Sequence, residues 1–385
     1  MRVLFTAFPK PSHYFPVVPL AWALRARGHS VRMAVSPLLA DQVLHSGLPL
    51  VSCGDTVDTR AIWRGFDVLG APGTDRVEHA RARAARAMTM FTEVARAMSP
   101  DLIDFARRWS PDLIVHEPRA YAGLIAAEVL KVPLVRQLWG TDYTVDRWDA
   151  ERPFLESLLG DHGLDSGAVD PLGTVTVDPC PPGLQLPAAG GERLQMRYVP
   201  YNGPGEVPAW LRVPADRPRV CVTWGTSTRS PGYGADPVER IVAALDGLDV
   251  ELVLALSARH RESLSLPEGL RVVESMPLHL LLPSCAAVVH QGGAGTTLTA
   301  GAAGVPQLMF PAVIDGEVNS RGVVAAGAGL RLDTADLSDA GRIRTALETL
   351  LRRPSFREGA RRLRAEFRLQ PSPAEVAEQL EMYAG

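Results

Sequence analysis

The sequence predicts an α/β protein made of two parallel-sheet units, on three observations. Short apolar runs such as RVLFTAF, VRMAVS and DLIVHE alternate with helical stretches through the first part of the chain. A Pro-rich stretch over 170–216, with DPCPPGLQLP and VPYNGPGEVPAW, interrupts that alternation. The pattern then resumes with RVCVTWGT, VELVLAL, AAVVHQ and VPQLMF. Continuous apolar strands separated by helices are what βαβ crossovers require, because a parallel sheet is buried on both faces.

The elements follow in order. A strand over 2–8 leads to a helix over 17–28, with Gly28 placed to cap it. Next come a strand at 31–36, a helix near 37–46 and a strand at 48–54. An Ala/Arg/Met-rich helix spans 77–109, and a strand at 112–117, a helix at 120–130 and a strand at 132–140 follow. After the Pro-rich stretch, strands are expected at 219–226, 250–256, 270–275, 286–291 and 305–310, with a helix near 236–247. Ser355 and Glu358 have capping-box spacing at a late helix start, and 372–385 reads as a terminal helix. The expected division is 1–200, a linker at 201–217, a second domain at 218–368, and a tail at 369–385 whose packing back on the first domain is left open. Ligands of open parallel sheets collect outside the carboxyl ends of the strands, so two such sheets facing each other would form one cleft.

Composition excludes several classes of function. Of the 385 residues 46% are apolar and 22% charged, an ordinary globular profile long enough for real cores. A net charge of −3 gives nucleic acid or an anionic membrane no bulk attraction. Lys occurs only at Lys10 and Lys131, which reads as coding bias toward Arg. Cys53, Cys180, Cys221 and Cys285 lie far apart without zinc-ligand spacing, as expected of reduced thiols in a cytoplasmic protein. The N-terminal apolar stretch is short for a signal peptide, and no run approaches the roughly 18 apolar residues of a membrane span.

The most informative stretch is VVHQGGAGTT, 288–297, where a strand gives way to a helix. Helix starts expose unpaired N–H groups and partial positive charge, which attract anions. Gly292, Gly293 and Gly295 let an anion approach the backbone, Thr296 and Thr297 add hydroxyl donors, and His290 stands at the strand end. A P-loop needs a lysine absent here, and a dinucleotide fingerprint needs a third glycine where Thr-Thr-Leu stands. A Gly-rich turn without ligand is the bland reading of the glycines alone.

The segment from Pro277 to Pro311 resembles the donor-binding signature of nucleotide-sugar glycosyltransferases of the GT-B fold. FTAFPKPSHYFPVVPLAWALRARGH, DPCPPGLQ, VPYNG and MPLHLLLPSCAAVVHQGGAGTT extend the likeness over essentially the whole chain. They are closest to bacterial enzymes that decorate polyketide and macrolide aglycones. The resemblance implies two Rossmann-like domains facing across a cleft. It implies that His290 contacts the α-phosphate, and that Gly293, Gly295, Thr296 and Thr297 hold the pyrophosphate. It also implies that Met276 reads the base edge through its backbone, and that Thr226 and Ser227 reach the phosphates. Asp315, with Glu317 second, falls where the family binds sugar hydroxyls; the usual neighbour is Gln, and here Gly316 replaces it.

His13 follows the first strand in PKPSHYFP, where an imidazole suits proton transfer near neutral pH. The resemblance makes it the general base on the acceptor hydroxyl, with inversion at the anomeric carbon. Glu117, with Asp142 as alternative, would orient it. Trp63, Phe66, Met88, Met90, Phe91, Trp139, Tyr143 and Trp148 are candidates for an apolar acceptor pocket, although each also fits ordinary core. No DxD motif or metal-ligand cluster appears, so no metal or other cofactor is expected. The expected partners are a TDP-sugar donor and a hydrophobic aglycone, with a helper protein and a homodimer left open. C-glycosylation, UDP in place of TDP, a nucleotide-sugar 2-epimerase and a non-catalytic nucleotide-sugar-binding partner remain as alternatives.

Overall fold

The computed structural model describes residues 1–66, 74–187, 190–225 and 236–384. Two compact units emerge. One comprises 1–179, 187–197 and the chain from 371 onward; the other comprises 180–186 and 198–370. The expected linker, 201–217, therefore falls inside the second unit, and the terminal helix Pro373–Leu380 belongs to the first. That helix packs on the helix Val18–Ala26, and Arg27 and His29 both reach Glu381 at 2.9 Å.

The first unit holds a seven-stranded sheet with every pairing parallel. Its strands are β1 (Arg2–Thr6), β2 (Ser30–Val35), β3 (Leu50–Ser52), β4 (Leu113–His116), β5 (Leu134–Gln137), β6 (Val175–Asp178) and β7 (Arg193–Gln195). The order is β3-β2-β1-β4-β5-β6-β7. β6 and β7 lie within the stretch read as a mere connection. They are four and three residues long, and the prolines around them hid their pattern.

The second unit holds β8 (Arg219–Thr223), β9 (Glu251–Leu256), β10 (Arg271–Glu274), β11 (Ala287–His290), β12 (Gln307–Met309) and β13 (Gly329–Arg331). Its order is β10-β9-β8-β11-β12-β13, again wholly parallel. In each sheet the strand order reverses once, between β1 and β4 and between β8 and β11. In open α/β sheets ligands bind in crevices at such switch points.

Local chemistry sets most boundaries. Gly28 adopts φ +89 just past the end of its helix, where a side chain would be strained. The long helix Arg76–Trp109 starts on Asp75, whose carboxylate accepts from the N–H groups of Val77 and Glu78. The capping box expected at Ser355 does not form, because the helix begins one residue earlier, at Pro354, after Arg353. Capping boxes form instead at Asp236 with Glu239 and at Ser372 with Glu375. The first core gathers Leu4, Phe8, Ile114 and Leu124; the second is centred on Val220, Leu254, Val289 and Leu308. Among the described residues no helix is long and apolar enough to cross a membrane.

Candidate active site

His13 and Glu117 follow the two strands, β1 and β4, that flank the first switch point. After β1 the chain enters a one-turn helix, Pro11–Tyr14, and both His13 and Tyr14 donate backbone N–H groups to the Lys10 carbonyl. Tyr14 is anchored by a 2.6 Å bond from its hydroxyl to Ser46 Oγ. His13 is thereby presented with its side chain only 14% exposed, between Phe8 and Trp139 at ring-centroid distances of 5.4 and 4.6 Å.

Glu117 follows β4 and is wholly buried. Its Oε2 lies 3.1 Å from His13 Nδ1, at an angle too oblique for a well-formed hydrogen bond. Phe8 N–H donates to Oε1 and Arg119 N–H to Oε2, both at 2.9 Å. Burial pushes the Glu117 carboxyl up, but the His13 charge and these N–H donors outweigh it and hold the group below its ordinary range. An ionised carboxylate facing Nδ1 favours the proton there and leaves Nε2 as the basic nitrogen.

Asp142, the alternative orienter, does something else. Arg136 grips it through both carboxylate oxygens, Arg193 donates at 2.9 Å, and Thr144 donates at 3.1 Å. Arg136 comes from inside the apolar strand β5 and is itself buried, so Asp142 neutralises an interior guanidinium and is committed to that task.

The proposed acceptor residues divide into three groups. Trp139 contacts His13 and Tyr143, while Phe91 packs edge-on to Phe8 at 5.0 Å. Trp63 and Phe66 form a separate cluster, with Trp63 Nε1 donating to Met90 Sδ and Phe66 stacked on His79. Met88 and Met90 are core residues, and Trp148 packs against that core.

In the second unit β11 ends at His290 and the helix Ala294–Ala303 begins after Gly293, with no side chain among the described residues capping its first N–H groups. Gly292 takes φ +90. A Cβ on Gly292 would lie 3.0 Å from Gly316 Cα, and one on Gly316 would lie 2.9 Å from the Gln291 carbonyl oxygen. The turn and the helix Ile314–Ala325 thus meet backbone to backbone, tied by Asn319 Nδ2 donating to Gly292 O at 2.8 Å. This contact accounts for glycine at 316. Among the described residues no neighbour outside its own helix turn lies within 4 Å of a Cβ built on Gly295.

His290 departs from its expected role. It is completely buried, its Nδ1 accepts from Gly292 N–H at 3.1 Å, and its Nε2 meets Gln307 Oε1 at 2.9 Å. With Nδ1 accepting, the proton sits on Nε2 and the ring is neutral; burial pushes its pKa down to about 4, against a small opposing effect of Gln307. Both nitrogens are used inside the fold, so the ring shapes the turn and leaves no donor for a phosphate. Thr297 likewise turns inward, its hydroxyl donating to Gly293 O at 3.0 Å. Thr296 is buried in the first turn of the helix.

Met276 is half-buried after Ser275, which takes φ +52. Asp315 is half-buried in the first turn of its helix, and Glu317 is paired with Arg331 at 2.8 Å. Thr226 and Ser227 lie outside the described residues. Sequence reasoning missed Arg119, Glu151, Gln307 and Asn319. The clue for Gln307 was a polar residue inside the apolar strand run VPQLMF; the others carry no local signal.

Two family models match the chain. They are the erythromycin biosynthesis protein CIII-like N-terminal domain, over residues 22–225, and the C-terminal domain of the same family, over 239–383. Among characterised relatives, the TDP-daunosamine transferase DnrS of Streptomyces peucetius is 38% identical over 99% of this chain and 96% of its own length. The 10-deoxymethynolide desosaminyltransferase of Streptomyces venezuelae is also 38% identical, over 100% of this chain and 97% of its own. Among solved structures, the spinosyn rhamnosyltransferase SpnG superposes with TM-score 0.84 at 31% identity, covering 99% of this chain and 100% of that one. The glycosyltransferase VinC in complex with dTDP gives TM-score 0.82 at 32% identity, over 100% and 99%.

Proposed function

We infer the reaction from a family premise: the chain belongs to the erythromycin biosynthesis protein CIII-like family of GT-B natural-product glycosyltransferases. We propose that it moves a deoxysugar from a TDP-sugar to a hydroxyl of a polyketide aglycone, with inversion. The observation that carries this reading is the His13–Glu117 pair beside the switch point of the first sheet. Nε2 of His13 takes the acceptor's hydroxyl proton, and the freed oxygen attacks the anomeric carbon. The bond from that carbon to the diphosphate oxygen breaks as the new C–O bond forms, and the electron pair leaves with the TDP. Glu117 stabilises the imidazolium that results.

The donor side belongs to the second unit. The uncapped helix start at Gly293–Gly295, with Thr296 beside it, offers N–H groups and partial positive charge to the leaving diphosphate. His290 contributes by holding Gly292 in its positive-φ turn. Asp315 is proposed to bind the sugar hydroxyls, and the backbone at Met276 the thymine edge. TDP is preferred because a relative's name and a neighbour's ligand both carry it.

The test is calorimetric titration with TDP, UDP, ADP and NAD in the presence of EDTA, followed by donor–acceptor screening against a His13→Ala control. TDP bound in the chelator, and transfer lost in the control, is the expected result. Binding of NAD alone would overturn the proposal.

A further inference from the structure

We infer that the buried Arg119–Glu151 ion pair is a positioning device for the His13–Glu117 dyad, with Glu151 acting on the base through the turn that carries Arg119. The inference rests on reading His13 as the base and Glu117 as its orienter. Arg119 lies two residues after Glu117, and its backbone N–H is one of only two backbone donors seen on the Glu117 carboxylate among the described residues. The turn is closed by Ala120 N–H donating to the Glu117 carbonyl at 2.9 Å. Whatever fixes Arg119 therefore fixes the aim of Glu117.

What fixes Arg119 is mainly Glu151. Its carboxylate takes both terminal nitrogens of the guanidinium, and the Nη2–Oε1 separation is 3.0 Å. Tyr121 accepts from Nη1 at 2.9 Å, and the Phe91 ring covers the guanidinium carbon at 5.0 Å. Arg147 holds Glu151 from the other side at 2.8 Å. Arg119 and Glu151 side chains are 5% and 6% exposed, and Arg119 Nε has no partner among the described residues. A guanidinium this deep cannot stay once its counter-charge is removed. Driven toward water, it would carry the Pro118–Arg119 turn with it and pull the N–H off Glu117 Oε2. Glu151 comes from the helix Trp148–Glu151, after β5, so the pair ties the segment following β5 to the turn following β4.

The readout is the tautomer of the neutral His13 ring, measured by two-bond 1H–15N correlation on full-length histidine-labelled protein at alkaline pH. The His13 signals are identified by their loss in His13→Gln. A carboxylate held at Nδ1 keeps the proton there, whereas a free imidazole prefers Nε2–H. Wild type is expected as Nδ1–H, and Glu117→Gln as Nε2–H. Glu151→Gln should also lose the Nδ1–H form, and Glu151→Asp should retain most of it. The double variant Arg119→Met/Glu151→Leu replaces the pair with apolar groups that preserve packing; with no stranded guanidinium to displace the turn, it should fold normally and recover the Nδ1–H form. Nδ1–H retained in Glu151→Gln but lost in Glu117→Gln, or lost in the double variant as fully as in Glu151→Gln, would overturn this inference and leave the base assignment standing. Nε2–H already in the wild type would overturn the base assignment itself.

Discussion

His13 follows β1 in the first sheet and His290 ends β11 in the second, each beside the point where its strand order reverses. His13 keeps partial exposure and a buried carboxylate against Nδ1. His290 has no exposure, an amide carbonyl at Nε2 and a backbone N–H at Nδ1. A carboxylate stabilises the charged ring that proton transfer creates, whereas a neutral partner and full burial forbid it. Two histidines beside switch points thus sit in opposite surroundings: one ring faces a carboxylate that favours its charged form, and the other is held neutral and braces a turn.

The largest effect should come from the ring that changes charge. Replacing His13 by Ala is expected to slow glycosyl transfer by about 10²–10⁴-fold, the usual share of general base catalysis, with TDP affinity unchanged. Steady-state rates alongside calorimetry check this, and wild-type turnover in the variant would erase the distinction between the two histidines. Asp142→Asn should act on the fold instead. It leaves Arg136 and Arg193 short of a buried counter-charge, at a cost of about 3–5 kcal/mol in urea unfolding. A variant of unchanged stability would return Asp142 to the list of candidate orienters.

The neutral ring makes a prediction in pH. Burial pushes both His290 and His116 down to about 4, so between pH 6.5 and 4 the unfolded chain binds protons that the folded chain does not. Stability is complete above pH 6.5 and falls as pH drops through that window, by roughly 3 kcal/mol for each ring. His290→Gln should remove about one proton from the pH slope of the unfolding free energy, and an unchanged slope would mean that His290 charges in the fold. The smallest effect belongs to Gly316→Ala. Its new methyl would meet the Gln291 carbonyl at 2.9 Å, and the expected cost is about 1–3 kcal/mol with weaker TDP binding. Full affinity in that variant would show that the turn tolerates displacement of its neighbouring helix.

Legibility differed between these regions. The strand-end turn at 290–297 could be found because its glycines are local and the helix start after them follows from chain order. The direction of the His290 ring could not, because its partners are Gly292 and a glutamine seventeen residues away. Glu117 was named as orienter beside Asp142 on strand-end position, and residue type does not separate two carboxylates. Arg136, buried in β5, separates them by claiming Asp142. β6 and β7 were lost among prolines because three- and four-residue strands carry too few alternations to register.

Apolar runs alternating with helices were enough for the fold class, and short motifs were enough for the family, since periodicity and glycine placement are properties of neighbouring residues. Which carboxylate faces His13, what the His290 ring touches and why residue 316 has no side chain depend on partners far away in the chain. Burial, counter-charge and backbone approach belong to the packed protein, and the same residue type takes its chemistry from them.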